Sequence, residues 1–172
     1  MAGSVLDVAF AHHVWATLKV FDACRKLSPE QLETNVPGTY GTILDTARHI
    51  VAADASYLWV TTRGRVPRLT DEQEETMELA ELRDTMAGYD RAWADLLAAG
   101  PDPEEVVVRH RDDGSSTSAP FSIRLAQVPH HGTDHRSQIC TALTTLGIEP
   151  PPIDLWDYGA EIGIVTDTPP TS

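Results

Sequence analysis

The sequence predicts an all-α protein, a four-helix bundle formed by one domain over residues 1–172. Two observations carry that expectation. Four long segments place apolar residues at steps of three and four, and each ends at glycine, proline or a polar loop. The periodicity changes character in one place only, between the third and fourth of them. There a β-branched run and a DDG turn predict a short extended segment or hairpin over about residues 105–120.

The first helix is expected from Val5 to Leu27, capped by Ser4, with Asp7 at its positive end and Leu6, Phe10, Val14, Thr17 or Leu18, Phe21 and Cys24 as its stripe. Ser28-Pro29-Glu30 opens a short turn with proline at a first helical position. NVPGTYG is a loop. The second helix runs over Thr42–Thr62, with Leu44, Ala47, Val51 and Leu58 facing inward, and stops before Gly64 and Pro67. TDEQEE is a solvated connection or a helix start. The third helix, Thr76–Ala99, has the cleanest stripe: Leu79, Leu82, Met86, Tyr89, Trp93 and Leu96. The fourth spans Phe121–Leu146 and ends at Gly147 and EPPP. Pro129 in its interior removes one backbone hydrogen bond and should kink it. IDLWDYGAEIG reads as an apolar tail folded back over the bundle, with a disordered or loosely packed end from about residue 165.

Composition narrows the function. With 26 acidic against 13 basic residues the net charge is −13, which repels phosphate backbones, so no nucleic-acid partner is expected. No apolar run is long enough to span a bilayer and the N-terminus lacks a signal peptide, so no membrane partner and a cytoplasmic location are expected. Cys24 and Cys140 lie within helices without ligand spacing and read as reduced, buried thiols. Helices with two apolar faces are compatible with a homodimer.

The stretch VPHHGTDHRSQIC concentrates the chemistry. His131 and His135 are four residues apart on the expected core stripe of Val128, His131, His135, Gln138 or Ile139, Ala142 and Leu146. At about 5–6 Å between Cβ atoms, two such imidazoles can chelate one ion. A buried pair hydrogen-bonded to neighbouring helices is equally compatible with the spacing. His130 is rotated about 100° away. Gly132 stands where zinc proteases of the HExxH type carry their glutamate base, which argues against that route. His49, in DTARHIVAAD, has small neighbours that would leave room for an inward imidazole, yet its place off the main stripe also fits a surface position.

Together, TARHIVAADASYLW on the second helix and HHGTDHRSQICTALTTLGIEPP on the fourth resemble the DinB-like (DNA-damage-inducible) superfamily over nearly the whole chain. The resemblance implies a divalent metal ion (Zn²⁺, Ni²⁺ or Fe²⁺) held by His49, His131 and His135. It also implies chemistry of the kind seen in metal-dependent S-transferases and isomerases that use low-molecular-weight thiols, with a thiol bound to the metal as thiolate and directed at an electrophile. The expected function is therefore a metal-dependent enzyme, a thiol S-transferase or a hydrolase, with a small molecule or thiol as partner. A non-catalytic metal- or small-molecule-binding stress protein is the alternative, and a metal-free structural bundle the third reading. Gln138, Asp45, Arg136 and His13 are candidates to contact ligands or substrate, with Tyr57 and Trp59 as candidate walls. The plainer readings are a helix-start acid for Asp45, an ion pair for Arg136, a satisfied core histidine for His13 and bundle packing for both aromatics. His12 and His110 read as surface.

Overall fold

In the computed structural model, which describes residues 3–111, 113–166 and 168, the four long helices are α1 (Val5–Cys24), α3 (Ile43–Thr61), α5 (Leu79–Ala98) and α6 (Phe121–Thr145). Two short helices, α2 (Pro29–Leu32) and α4 (Asp71–Thr76), sit in the connections, and α7 (Leu155–Glu161) returns along α1. Each long helix packs on two others, in the cyclic order α1, α5, α3, α6. The remainder of the expected loose tail, residue 167 and residues 169–172, lies outside the described residues.

Local chemistry sets the helix starts. Ser4, Ser28, Thr42, Thr70 and Asp154 each accept a hydrogen bond from a backbone N–H at the third helical position, whose own side chain returns the bond. Thr42 and Asp45 form such a pair at the head of α3. TDEQEE is a separate helix rather than a lead-in to α5, because α5 begins again after Met77 with extended backbone at Glu78. The first helix ends at Cys24, three residues short of expectation, and Leu6 is 44% exposed at the bundle's end rather than in its core. α6 continues unbroken through Pro129.

The hairpin exists. Strands β1 (Val106–His110) and β2 (Ser116–Pro120) pair antiparallel with Arg109 opposite Thr117. Arg124 on α6 clamps it by donating from Nη2 to the carbonyls of Val107 (2.7 Å) and Thr117 (2.8 Å). Along β1, alternate residues Val107 and Arg109 are half-buried while Val106, Val108 and His110 are exposed.

The core is apolar around Phe10, Phe21, Ile50, Leu58, Leu82, Met86, Trp93, Ile139 and Leu143, and a charged network is buried within it. His13 (α1), Asp54 (α3) and Arg136 (α6) are 0%, 1% and 2% exposed and bond to one another. Arg136 Nη1 donates to His13 Nδ1 (3.0 Å) and Thr17 Oγ1 (3.1 Å). A guanidinium only donates, so His13 Nδ1 must carry a lone pair and the ring proton sits on Nε2. Nε2 lies 3.1 Å from both oxygens of Asp54, and Asp54 Oδ1 also accepts from Trp93 Nε1 on α5 at 3.1 Å. Burial pushes the Arg136 pKa down to about 10, so it stays cationic at neutral pH and offsets the Asp54 charge through the imidazole. The network thus ties all four long helices to each other.

Gly132 makes that network possible. A Cβ there would fall inside van der Waals contact of His13 Cε1 and Nδ1 and stand 2.7 Å from Arg136 Nη1. In an open helix, Ala stabilises relative to Gly by about 1 kcal/mol. Here the sign inverts: G132A should lower stability by about 1–3 kcal/mol through overpacking, measured by chemical denaturation, and a stabilised variant would contradict this packing. Removing one buried charge, as in D54A, should cost about 3–5 kcal/mol.

Candidate metal centre

His49 on α3 and His131 and His135 on α6 meet across the α3–α6 seam. One nitrogen from each lies within 4.8 Å of the other two. His49 Nε2 and His131 Nε2 are 3.0 Å apart. All three rings are half-buried, which corrects the core placement expected of His131 and His135. The core-facing residues of this part of α6 are Val128, Gly132, Arg136 and Ile139, and the two histidines flank that stripe. His49 flanks the α3 stripe in the same way, so the three imidazoles share an edge of the bundle that solvent reaches.

The surroundings orient the rings. Gln138 Oε1 accepts from the Tyr40 backbone N–H at 2.9 Å, which identifies that atom as the amide oxygen. His135 Nδ1 lies 3.1 Å from the same oxygen and must therefore donate to it, leaving Nε2 with the free lone pair. The Tyr40 ring stacks on His49, centroids 4.0 Å apart and 17° from parallel. The NVPGTYG loop thus holds two of the three imidazoles. Burial, reinforced by the neighbouring imidazoles, lowers the His131 pKa to about 4, and burial with His135 lowers that of His49. Both are neutral at pH 7, the state a metal requires.

The donor set fits a divalent first-row ion. Two nitrogens bound to one ion at about 2.0–2.1 Å stand about 2.9–3.4 Å apart at octahedral or tetrahedral angles. The His49–His131 separation falls in that range. As a set of structural core histidines the cluster is poorly satisfied. His131 Nδ1 is buried without a hydrogen-bond partner among the described residues, whichever nitrogen carries its proton. His13 is the opposite case, with both ring nitrogens bonded.

The remaining candidates separate cleanly. Gln138 touches His135 as a contact beneath the ligand set. Asp45 completes the α3 cap and lies 4.0 Å from Arg48, on the wall of a neighbouring cleft that includes His49. Arg136 and His13 face away from the imidazole cluster, into the buried network, so neither reaches a ligand site at the seam. Tyr57 lines the approach to His131, whereas Trp59 lines a separate cleft beside β1. His130 is 71% exposed, 3.5 Å from Asp134. His12 is half-buried rather than on the surface, with Nε2 2.8 Å from the Ile153 carbonyl. His110 is exposed. Asp54 was missed, although it interrupts the apolar face of Ala47, Ile50 and Leu58 at helical spacing.

A cleft of about 230 Å³ opens beside the cluster, lined by His49, His131, Ala52, Ala53, Ser56, Tyr57, Glu74 and Arg109. Burial raises the Tyr57 pKa, so its hydroxyl is a neutral hydrogen-bonding group there.

The DinB family model matches residues 1–163. This chain belongs to the DinB family. No curated protein matches it. A DinB family chain with converging histidines on its second and fourth long helices has the residues to hold a metal ion. No helix among the described residues is long and apolar enough to cross a membrane.

The tautomer assignment is testable by long-range ¹H–¹⁵N spectra of the metal-free protein. His135 should show a protonated Nδ1 and an unprotonated Nε2. In Q138L that preference should collapse to a mixture while the His13 signals stay put. An Nε2-protonated His135 in the wild type would contradict the assigned geometry.

Proposed function

We propose that His49, His131 and His135 bind one divalent metal ion, and that the chain is a metal-dependent enzyme acting on a small thiol, most simply as an S-transferase. The observation that supports this reading is the convergence of three imidazoles beside an open cleft, with no carboxylate or thiolate among them. Three protein donors leave a position for an exogenous ligand, whereas closed structural zinc sites use four. An ion held there would supply Lewis acidity and lower the pKa of a bound thiol or water.

The chain's own residues supply positioning. Gln138 keeps the His135 lone pair on Nε2, and Tyr40 covers one face of His49. Ala52, Ala53 and Ser56 keep the cleft open above α3, and Tyr57 offers a neutral hydroxyl near His131. Cys24 and Cys140 are not candidates for the reacting thiol, since burial pushes the Cys24 pKa to about 12 and raises that of Cys140. Their free state suits a reducing, cytoplasmic setting.

Metal analysis of protein purified without a histidine tag should give one ion per chain. H49A, H131A and H135A should each lose most of it, and H130A should retain it. Full metal content in H131A or H135A overturns the ligand set. For the activity, metal-loaded protein should consume a low-molecular-weight thiol in the presence of one of a panel of electrophiles, and chelation should abolish that. A metal-bound protein that consumes no thiol with any electrophile contradicts the transferase and leaves a binding protein.

A further inference from the structure

We propose that Arg109 is the anion-recognising residue of the cleft beside the three histidines, and that it selects ligands carrying a carboxylate. The inference rests on the proposed thiol chemistry of that site and names the class of thiol it favours. Of the chain's arginines, every other one has a hydrogen-bond, ion-pair or ring partner among the described residues. Among the described residues Arg109 has neither a hydrogen bond nor an ion pair, although acidic residues outnumber basic ones two to one in this chain. It is also half-buried, where an unpaired guanidinium costs more than one at the open surface.

Its direction follows from the hairpin. Arg109 shares the inward face of β1 with Val107, which packs on the bundle core. An apolar residue would be the expected continuation of that face. Instead Arg109 lines the cleft that contains His49 and His131. Arg124 locks the strand by its bonds to Val107 and Thr117, the latter being the cross-strand partner of Arg109. Thus the cation is held on a clamped element, which lowers the entropy cost of using it.

A guanidinium presents a planar fork that matches a carboxylate with two parallel charge-assisted hydrogen bonds. The cleft, about 230 Å³, admits only a small molecule, so one compact ligand spans from the histidines to Arg109. Ser56 and Tyr57 add neutral polar groups to the cleft wall. Glu74, on the α4 wall, is exposed to solvent, which screens its repulsion of an incoming anion.

The test uses two small thiols, 3-mercaptopropionate with a carboxylate and 2-mercaptoethanol without one. They are titrated into the cobalt-loaded protein, followed by the sulfur-to-cobalt absorption band, and into the metal-free protein, followed by amide shifts. In the cobalt form, 3-mercaptopropionate should bind roughly tenfold more tightly than 2-mercaptoethanol, as one good charge-assisted contact provides. In the metal-free form it alone should shift Ser56, Tyr57 and Arg109. R109Q should remove both effects while leaving the affinity for 2-mercaptoethanol unchanged, and R109K should keep part of the preference. R111Q, which removes the same charge from an exposed site on the hairpin's loop, should keep all of it. Equal affinities in the wild type, or a preference that survives R109Q, overturns the role of Arg109 and leaves the metal site standing. A cobalt form that shows no thiolate band with either compound contradicts the thiol reading instead. The metal-free shifts and their response to R109Q then decide Arg109 by themselves.

Discussion

The contact between Arg136 and His13, passed on to Asp54, is the constraint from which the rest of this bundle follows. Apolar stripes alone leave a four-helix bundle free to rotate its helices by small angles at little cost, because one aliphatic contact replaces another. A buried cation, an imidazole and a carboxylate tolerate no such rotation. Each must reach its partner, since an unpaired charge in this interior costs several kcal/mol. Trp93 extends the constraint to α5 by donating to the same carboxylate. All four long helices are therefore set in azimuth by one polar cluster.

That setting determines where the three outer histidines stand. Arg136 and Gly132 face inward on α6, so His131 and His135, each one residue before them, are turned toward the α3 seam. Asp54 faces inward on α3, and His49, five residues earlier, is turned to the same seam. The two groups of histidine chemistry in this chain thus have opposite characters. His13 is fully bonded and buried, and acts through packing. His131 has a buried nitrogen without a partner, and His49 and His131 point the same ring nitrogen at each other. Unsatisfied polar atoms on an edge that opens to a cleft mark a place where the fold gives up stability to keep ligand positions available.

Much of this was legible in the sequence. The spacing of Leu79, Leu82, Met86, Tyr89, Trp93 and Leu96 is a face that only a helix can bury as one stripe, and all six are buried. The DDG turn and VVV run marked an extended segment or hairpin because their period differs from that of the helices, and the segment is a hairpin. The His131–His135 spacing and the resemblance that added His49 led to residues that do come together. The sequence misled where polar residues took core positions. A stripe drawn by counting histidines as core placed His131 and His135 inward. Arg136 and Gly132 are the inward residues because a partner on another helix neutralises the arginine and needs the glycine's missing side chain. No single-helix pattern contains that information. Arg109 was hidden for the same reason, since strand alternation marks its face but not what that face looks upon.

The central claim is that the fold presents three imidazoles, and no other protein donor, to one ion. X-ray absorption spectroscopy of the untagged, metal-loaded full-length protein tests this most directly. The account predicts outer-shell scattering from three imidazole rings per ion, with the remaining first-shell scattering from a light exogenous atom. A spectrum with one imidazole or none, or with protein sulfur in the first shell, would contradict it.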